Sequence, residues 1–333
     1  MVQISSSLPQ QGQFLYQSSP FVPRASLRLR SNVILHASIS DSTKTSYNTA
    51  LRSFDRFRAI YSFPVNWPPT LLHVTDFIAY LSFQGYASNT ISTYVSGISY
   101  KCKSSNLFDP TQNFVVRKML TGLNRLDKRC DPRMPITLPI LTKIVLALPT
   151  ICSSTYETKL FSALFTTAFF GFFRVGELVQ NSFMIQGHAL LFENVKYLPE
   201  INSVEIKLFS SKTDQTGRGS IIIIPPSNSN ICPVKALKSF LNVRPPFLGT
   251  FFRHHLGNPV TRYQFVAVLK KCLSSLNIDP SYYSSHSFRI GAATSASLAG
   301  ETDENIATYG RWKSNSYKTY IRIPSNAFSK NSS

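Results

Sequence analysis

Two tyrosines, Tyr317 and Tyr320, stand three residues apart in "GRWKSNSYKTYIR", Gly310 to Arg322. A phenol with an ordinary pKa of about 10 is a poor nucleophile at neutral pH unless cations stabilise its phenolate. The chain has such cations at informative spacings. In "HSFRIGAATSASLAG", His286 and Arg289 are three apart and share a face of any helix. A guanidinium fork can bind two phosphate oxygens there while the imidazole moves a proton. In "AFFGFFRVGEL", Arg174 closes a wholly apolar run. Burying it is costly unless it meets an anion: either it pairs with Glu177, one turn on, and caps the helix end, or it waits for an external one. Lys212 falls at the tip of a predicted hairpin in "FSSKTDQTGRG", a place where lysine usually serves solubility. Each motif alone is weak; H-x-x-R arises often by chance. Together they suit attack by a phenol on a phosphodiester.

The charge balance supports a polyanionic partner. Thirty-five Lys and Arg against 16 Asp and Glu leave a net charge of +19 over 333 residues. Such a surface repels itself unless nucleic acid screens it. From Gln215 to Ile278 there is no carboxylate, while Arg218, Lys235, Lys238, Arg244, Arg253, Arg262, Lys270 and Lys271 accumulate. Of these, Arg218, Arg253, Arg262, Lys270 and Lys271 are candidate DNA contacts. The five cysteines are dispersed without a C-x-x-C pair, which argues against a disulfide framework and a zinc site. The longest apolar run, Leu160 to Phe173, is too short to span a bilayer, so no membrane role is expected. The Ser-rich start contains Arg24, Arg28 and Arg30 but no acid, and reads as a disordered tail over 1–38.

These residues need a frame to hold them. Tyr47, Leu51, Phe54 and Phe57 recur at helical spacing after a capping Ser or Asp near residue 40. "WPPT" breaks the chain, and further helices are predicted over Leu71 to Gln84, from a Ser88 or Asn89 cap, and through Asn113 to Leu126. Residues 39–130 thus read as a small helical domain. The proline-rich, basic "RCDPRMPITLP" makes 131–139 a linker. Beyond it, helices are predicted over Ile140 to Leu148, Thr158 to Phe173, Pro233 to Leu241, Arg262 to Leu276, His286 to Leu298, Asp303 to Tyr309 and Lys313 to Ile321. "SVEIKLFS" and "SIIIIP" read as the strands of a hairpin. The fold class is mainly α with a small antiparallel β-sheet, with a second domain over 140–328 and a tail over 329–333.

In order along the chain, Arg174 with Glu177 and Leu178, Lys212, His286 with Arg289, Gly310 with Trp312, and Tyr320 resemble the motifs of the tyrosine recombinases, or phage-type integrases. The stretch from His286 is similar to the matching part of phage Cre recombinase. "GRWKSNSYKTYIR" resembles the recombinases of eukaryotic DIRS-type and Crypton-type mobile elements. The resemblance covers about residues 40 to 322 and implies a helical core-binding domain followed by an α+β catalytic domain. It also implies strand cutting and rejoining of double-stranded DNA through a 3′-phosphotyrosyl link, with no metal or other cofactor, by a homotetramer assembled on DNA. Arg174, Lys212, His286, Arg289 and Trp312 would be catalytic and Tyr320 the nucleophile, with Glu177 supporting. One spacing departs from the pattern. The family's His or Trp sits nine residues before the tyrosine, where this chain has Arg311; Trp312 is eight away. Trp312 is the expected occupant, because an indole N–H can donate to a phosphate oxygen. Nuclear residence follows if the source is a eukaryotic element. The rival readings are a domesticated DNA-binding protein without catalysis and a related topoisomerase.

Overall fold

A computed structural model describes residues 22–129, 131–181, 189–208 and 219–323. The chain divides into two compact units, Met1–Cys130 and Asp131–Ser333.

Unit 1 is helical. Helix α1 (Arg24–Ala37) lies where a disordered tail is expected. Its Leu, Arg and Ala content favours helix, yet none of its residues is buried, so propensity rather than packing accounts for it. Helix α2 (Asp41–Ile60) starts at Ser40, whose hydroxyl accepts from the Thr43 N–H. Helix α3 (Leu71–Phe83) is capped in the same way by Thr70. Helix α4 (Ser88–Ser104) departs from the expected Ser88 or Asn89 cap: the cap position is Ala87, and the Ser88 N–H donates instead to the Asp127 carboxylate at 2.8 Å. Helix α5 (Phe114–Leu126) is capped by Asn113. Phe54, Phe57, Phe77, Ile78, Leu81, Ile91 and Val95 make the core. Burying each such side chain contributes roughly 1.5–3 kcal/mol.

Unit 2 begins with the segment expected to be a linker. It is instead part of the fold. The Met134 N–H donates to the Tyr282 carbonyl at 2.7 Å and the Ile136 N–H to the Ser287 carbonyl at 3.0 Å, and Ile136 is fully buried. Proline richness keeps this stretch extended, but the apolar Ile136 inside it finds the core. Helices α6 (Leu138–Ile151) and α7 (Thr155–Phe170) follow, then a single turn, α8 (Val175–Leu178). Strands β1 (Val195–Leu198), β2 (Ser203–Leu208) and β3 (Ser220–Ile224) form an antiparallel sheet in sequence order. Val204 pairs with Ile224 and Ile206 with Ile222, so the period-2 pattern turns Val204, Ile206 and Leu208 inward. Lys212 and Arg218 lie outside the described residues.

Helices α9 (Pro233–Leu241), α10 (Arg262–Ser275), α11 (His286–Leu298) and α12 (Asp303–Tyr309) complete the unit. The helix expected over Lys313 to Ile321 is instead a 3₁₀ turn, Asn315–Tyr320. Its tighter winding eclipses residues three apart, which brings Tyr317 and Tyr320 to one side. Among the described residues no helix is long and apolar enough to cross a membrane.

Gly291 of α11 shows how tightly the opening segment is seated. A Cβ there would fall 1.8 Å from the Ile136 carbonyl oxygen. Gly291→Ala must therefore push a backbone aside. Equilibrium denaturation of the full chain should show unit 2 weakened by about 1–3 kcal/mol or more; an unchanged transition would mean the segment does not cross α11 this closely.

Candidate active site

The apolar run of α7 ends in a bend that faces its backbone carbonyls inward. Gly171 closes the helix, and Phe172 takes a left-handed φ of 51°, uncommon for a bulky residue. A Cβ on Gly171 would fall 2.1 Å from the Phe173 ring, so only glycine admits the bend. The exposed carbonyls are then taken by arginines from far along the chain. Arg289 of α11 is fully buried and donates from Nη1 to the Phe172 carbonyl and from Nη2 to the Gly310 carbonyl. Arg311 donates to the Gly171 carbonyl at 3.1 Å and the Phe172 carbonyl at 3.4 Å.

One carboxylate serves two of these cations. Glu177, 6% exposed, accepts from the Arg174 guanidinium at 3.0 Å, the Arg174 backbone N–H at 2.9 Å and Arg311 Nη2 at 3.0 Å. The pairing of Arg174 with Glu177, open on the sequence, is thus present. Arg311 is the partner that sequence reasoning missed; spacing marked it only as the residue occupying the His or Trp position. It too has a left-handed φ, 56°, and packs over the Phe173 ring.

Trp312 covers the centre from the other side. Its ring lies 4.1 Å from the Arg289 guanidinium and 5.0 Å from the Tyr320 ring. A desolvated contact of the first kind is worth about 2 kcal/mol. Gly310 makes it possible, since a Cβ there would fall 1.7 Å from the indole. The two tyrosines separate here. Tyr317 is buried in the core, with burial and Asp303 at its hydroxyl raising its pKa. Tyr320 stays half-buried, its ring 5.7 Å from the Arg289 guanidinium.

His286 starts α11, and burial, then the guanidiniums of Arg133, Arg262, Arg289 and Arg174, push its imidazole down to about 4. It is neutral at pH 7 and so able to take a proton. Arg262 donates to the Ser285 hydroxyl at 3.1 Å, beside that histidine. Burial, then Arg174 and Arg311, push Arg289 down to about 9, which still leaves it charged at neutral pH. The Nε groups of Arg289 and Arg311 are buried with no acceptor among the described residues. Arg174 and Arg311 bond a single carboxylate, Glu177, with Arg289 close by, and the excess positive charge suits an anion.

The other basic candidates divide. Lys270 and Lys271 are exposed on α10. Arg253 is a correction to the expected DNA contacts: its guanidinium donates to the Leu248 carbonyl at 2.7 Å and twice to the Gly257 carbonyl, which fixes a loop. Arg244 is likewise buried, donating to the carbonyls of Pro245, Phe247, Thr250 and Phe251. Part of the acid-free stretch is therefore internal scaffolding.

The fold is shared with solved integrases and recombinases, and one sequence relative points the same way. A sequence relative, an integrase/recombinase xerD homolog of Selenomonas ruminantium, is 27% identical over 292 residues, covering 81% of this chain and 78% of that protein. The Tn1549 transposon integrase, solved with transposon right end DNA, superposes with a TM-score of 0.60 at 16% identity over 91% of this chain and 94% of its own. XerH site-specific recombinase bound to its difH substrate gives a TM-score of 0.62 at 13% identity over 83% of this chain and 75% of its own. A lambda integrase tetramer on a Holliday junction gives 0.60 at 14% identity over 92% and 79%. No protein-family model matches the sequence. Sequence likeness to that homolog and a fold shared with these solved integrases both support the resemblance to the tyrosine recombinases.

Two outcomes test the site's electrostatics. Glu177→Ala strands Arg311 without its carboxylate, and a broken buried pair costs about 3–5 kcal/mol; chemical denaturation should record a loss of that order, and a loss below 1 kcal/mol would contradict the geometry. The second concerns pH. An unfolded His286 binds its proton near pH 6.5, the folded one only near 4. Between those values the unfolded chain holds more protons, so stability falls as pH falls. Denaturation of wild type and His286→Gln across that window should show a steeper decline for wild type; parallel curves would contradict a neutral imidazole.

Proposed function

We propose that the chain is a site-specific DNA recombinase that cuts and rejoins strands with Tyr320 as nucleophile. The observation that carries this reading is the meeting of Arg174, His286, Arg289 and the Tyr320 ring, from three separate stretches, in one centre of excess positive charge. The Tyr320 oxygen attacks the scissile phosphorus, its proton passing to the neutral His286. The bond from phosphorus to the 5′-oxygen breaks, leaving a 3′-phosphotyrosyl link. The 5′-oxygen takes a proton, a role assigned to Lys212. Attack by a 5′-hydroxyl from another strand reverses each step and conserves the phosphodiester. Arg174 and Arg289 hold the charge that develops on the non-bridging oxygens, where such donors are worth about 10²–10³ in rate. This arrangement asks for no metal, since guanidiniums supply the neutralisation.

Arg289 is fully buried with the Trp312 ring over it, so the indole lies where it can both hold the guanidinium and donate to a phosphate oxygen. Unit 1 and the exposed Lys270 and Lys271 would hold duplex DNA. A homotetramer on DNA and an origin in a mobile element belong to the same proposal, supported by the lambda and Tn1549 proteins, and nuclear residence follows if the host is eukaryotic.

Incubation with nicked duplex carrying the element's ends should trap a denaturant-resistant protein–DNA adduct. Tyr320→Phe should abolish it and Tyr317→Phe retain it. Arg289→Ala should slow adduct formation at least about 10²-fold while DNA retention in gel shift changes far less. Binding without adduct by wild type would favour a domesticated DNA-binding protein, and relaxation of supercoils without site preference would favour a topoisomerase.

A further inference from the structure

The residues that enter unit 2 run directly to the candidate nucleophile. Arg322, two residues after Tyr320, donates from Nη1 to the Asp131 and Arg133 carbonyls and from Nη2 to the Asp131 carboxylate. Its own N–H donates to the Thr294 hydroxyl at 3.0 Å, and that hydroxyl donates to the Tyr320 carbonyl at 3.3 Å. On the same carboxylate, Asp131 accepts a two-pronged contact from Arg133, at 2.8 Å from Nε and 2.7 Å from Nη2. The next residues are pinned beside His286, through Met134 to Tyr282 and Ile136 to Ser287. Arg133 is thus held between the strand that follows Tyr320 and the turn that precedes His286.

We propose that Arg133 is a further cation of the active centre, held by Asp131 and Arg322 so that it stabilises the Tyr320 phenolate during attack. A planar fork is suited to this, because one edge stays on Asp131 while the charge faces the phenol. Asp131 and Arg322 are positioning residues that fix Arg133 and the backbone of Tyr320 together. The Arg133 pKa is raised first by its hydrogen bond to Asp131 and further by Tyr320, and burial followed by Arg133 lowers that of His286. The other charged groups around Tyr320 are Arg289 of α11 and, on its own segment, Arg322 and Lys318, the last 3.9 Å from Asp303.

The role of Arg133 rests on Tyr320 being the nucleophile, but one of its tests does not. In the full chain labelled with ¹³Cζ-tyrosine, the Tyr320 resonance is identified by its loss in Tyr320→Phe. In Arg133→Ala its chemical shift should move, because a cation beside the ring polarises it. Asp131→Asn, which frees the fork, should move it in the same direction by less. An unchanged resonance would overturn the proposal, and the remaining tyrosine resonances report whether each variant is folded. Adduct formation on nicked DNA supplies the second readout. Arg133→Ala should slow it about tenfold or more at neutral pH with little loss of DNA affinity, and Arg133→Lys should recover part of the rate. An equal loss of affinity and rate would make Arg133 a DNA contact instead. If wild type itself forms no adduct, the recombinase reading fails, while the Tyr320 resonance still decides whether Arg133 faces the phenol.

Discussion

Three neighbouring guanidiniums, one of them fully buried, set the terms for unit 2. Arg174 and Arg311 share Glu177, while Arg289 and Arg311 take the carbonyls of Gly171, Phe172 and Gly310. Removing such cations from water is costly, and the cost is met only if every acceptor is in place. The backbone bends to provide them. Phe172 and Arg311 both take left-handed φ values, a strain of about 1–3 kcal/mol each that persists because the surrounding contacts demand it. Two glycines give the rings room to fold back, Gly171 for Phe173 and Gly310 for Trp312. The phenylalanine-rich end of α7, the start of α11 and the turn after α12 are thus fixed to one another by charge.

That arrangement explains a centre suited to an anion. A single carboxylate offsets part of the positive charge, and the indole lies over Arg289. His286 stays uncharged because burial, and then the cations around it, oppose its protonation. The same field that would attract a phosphodiester therefore keeps the proton acceptor ready. Cations remote from the centre behave differently: Arg244 and Arg253 are committed to loop carbonyls, and their role is to hold shape.

Much of this was legible in the sequence where the signal is local. Apolar periodicity and a capping Ser near residue 40 located helices of unit 1, and alternation located β2. Arg174 stood out because a guanidinium closing an apolar run demands a partner, and Arg289 because it shares a helix face with His286. What could not be read was where long-range partners would fall. Arg311 meets Glu177 134 residues away, and Arg322 meets Asp131 191 residues away. No spacing rule spans such distances. The opening segment of unit 2 was misread as a linker for a related reason: its prolines signal extension, but extension serves equally for a strand laid across α11. Arg133 went unnoticed with it. Within the basic stretch, the bonds of Arg244 and Arg253 to loop carbonyls could not be foreseen, because composition cannot separate a cation facing solvent from one facing a carbonyl.

The central claim is that Tyr320, and not its neighbour Tyr317, becomes covalently joined to DNA. Trypsin separates the two, since cleavage after Lys313, Lys318 and Arg322 leaves Tyr317 in "SNSYK" and Tyr320 in "TYIR". Mass spectrometry of the trapped adduct, digested with nuclease and then trypsin, should find the nucleotide mass on "TYIR". Its appearance on "SNSYK", or on any other peptide, would contradict the account.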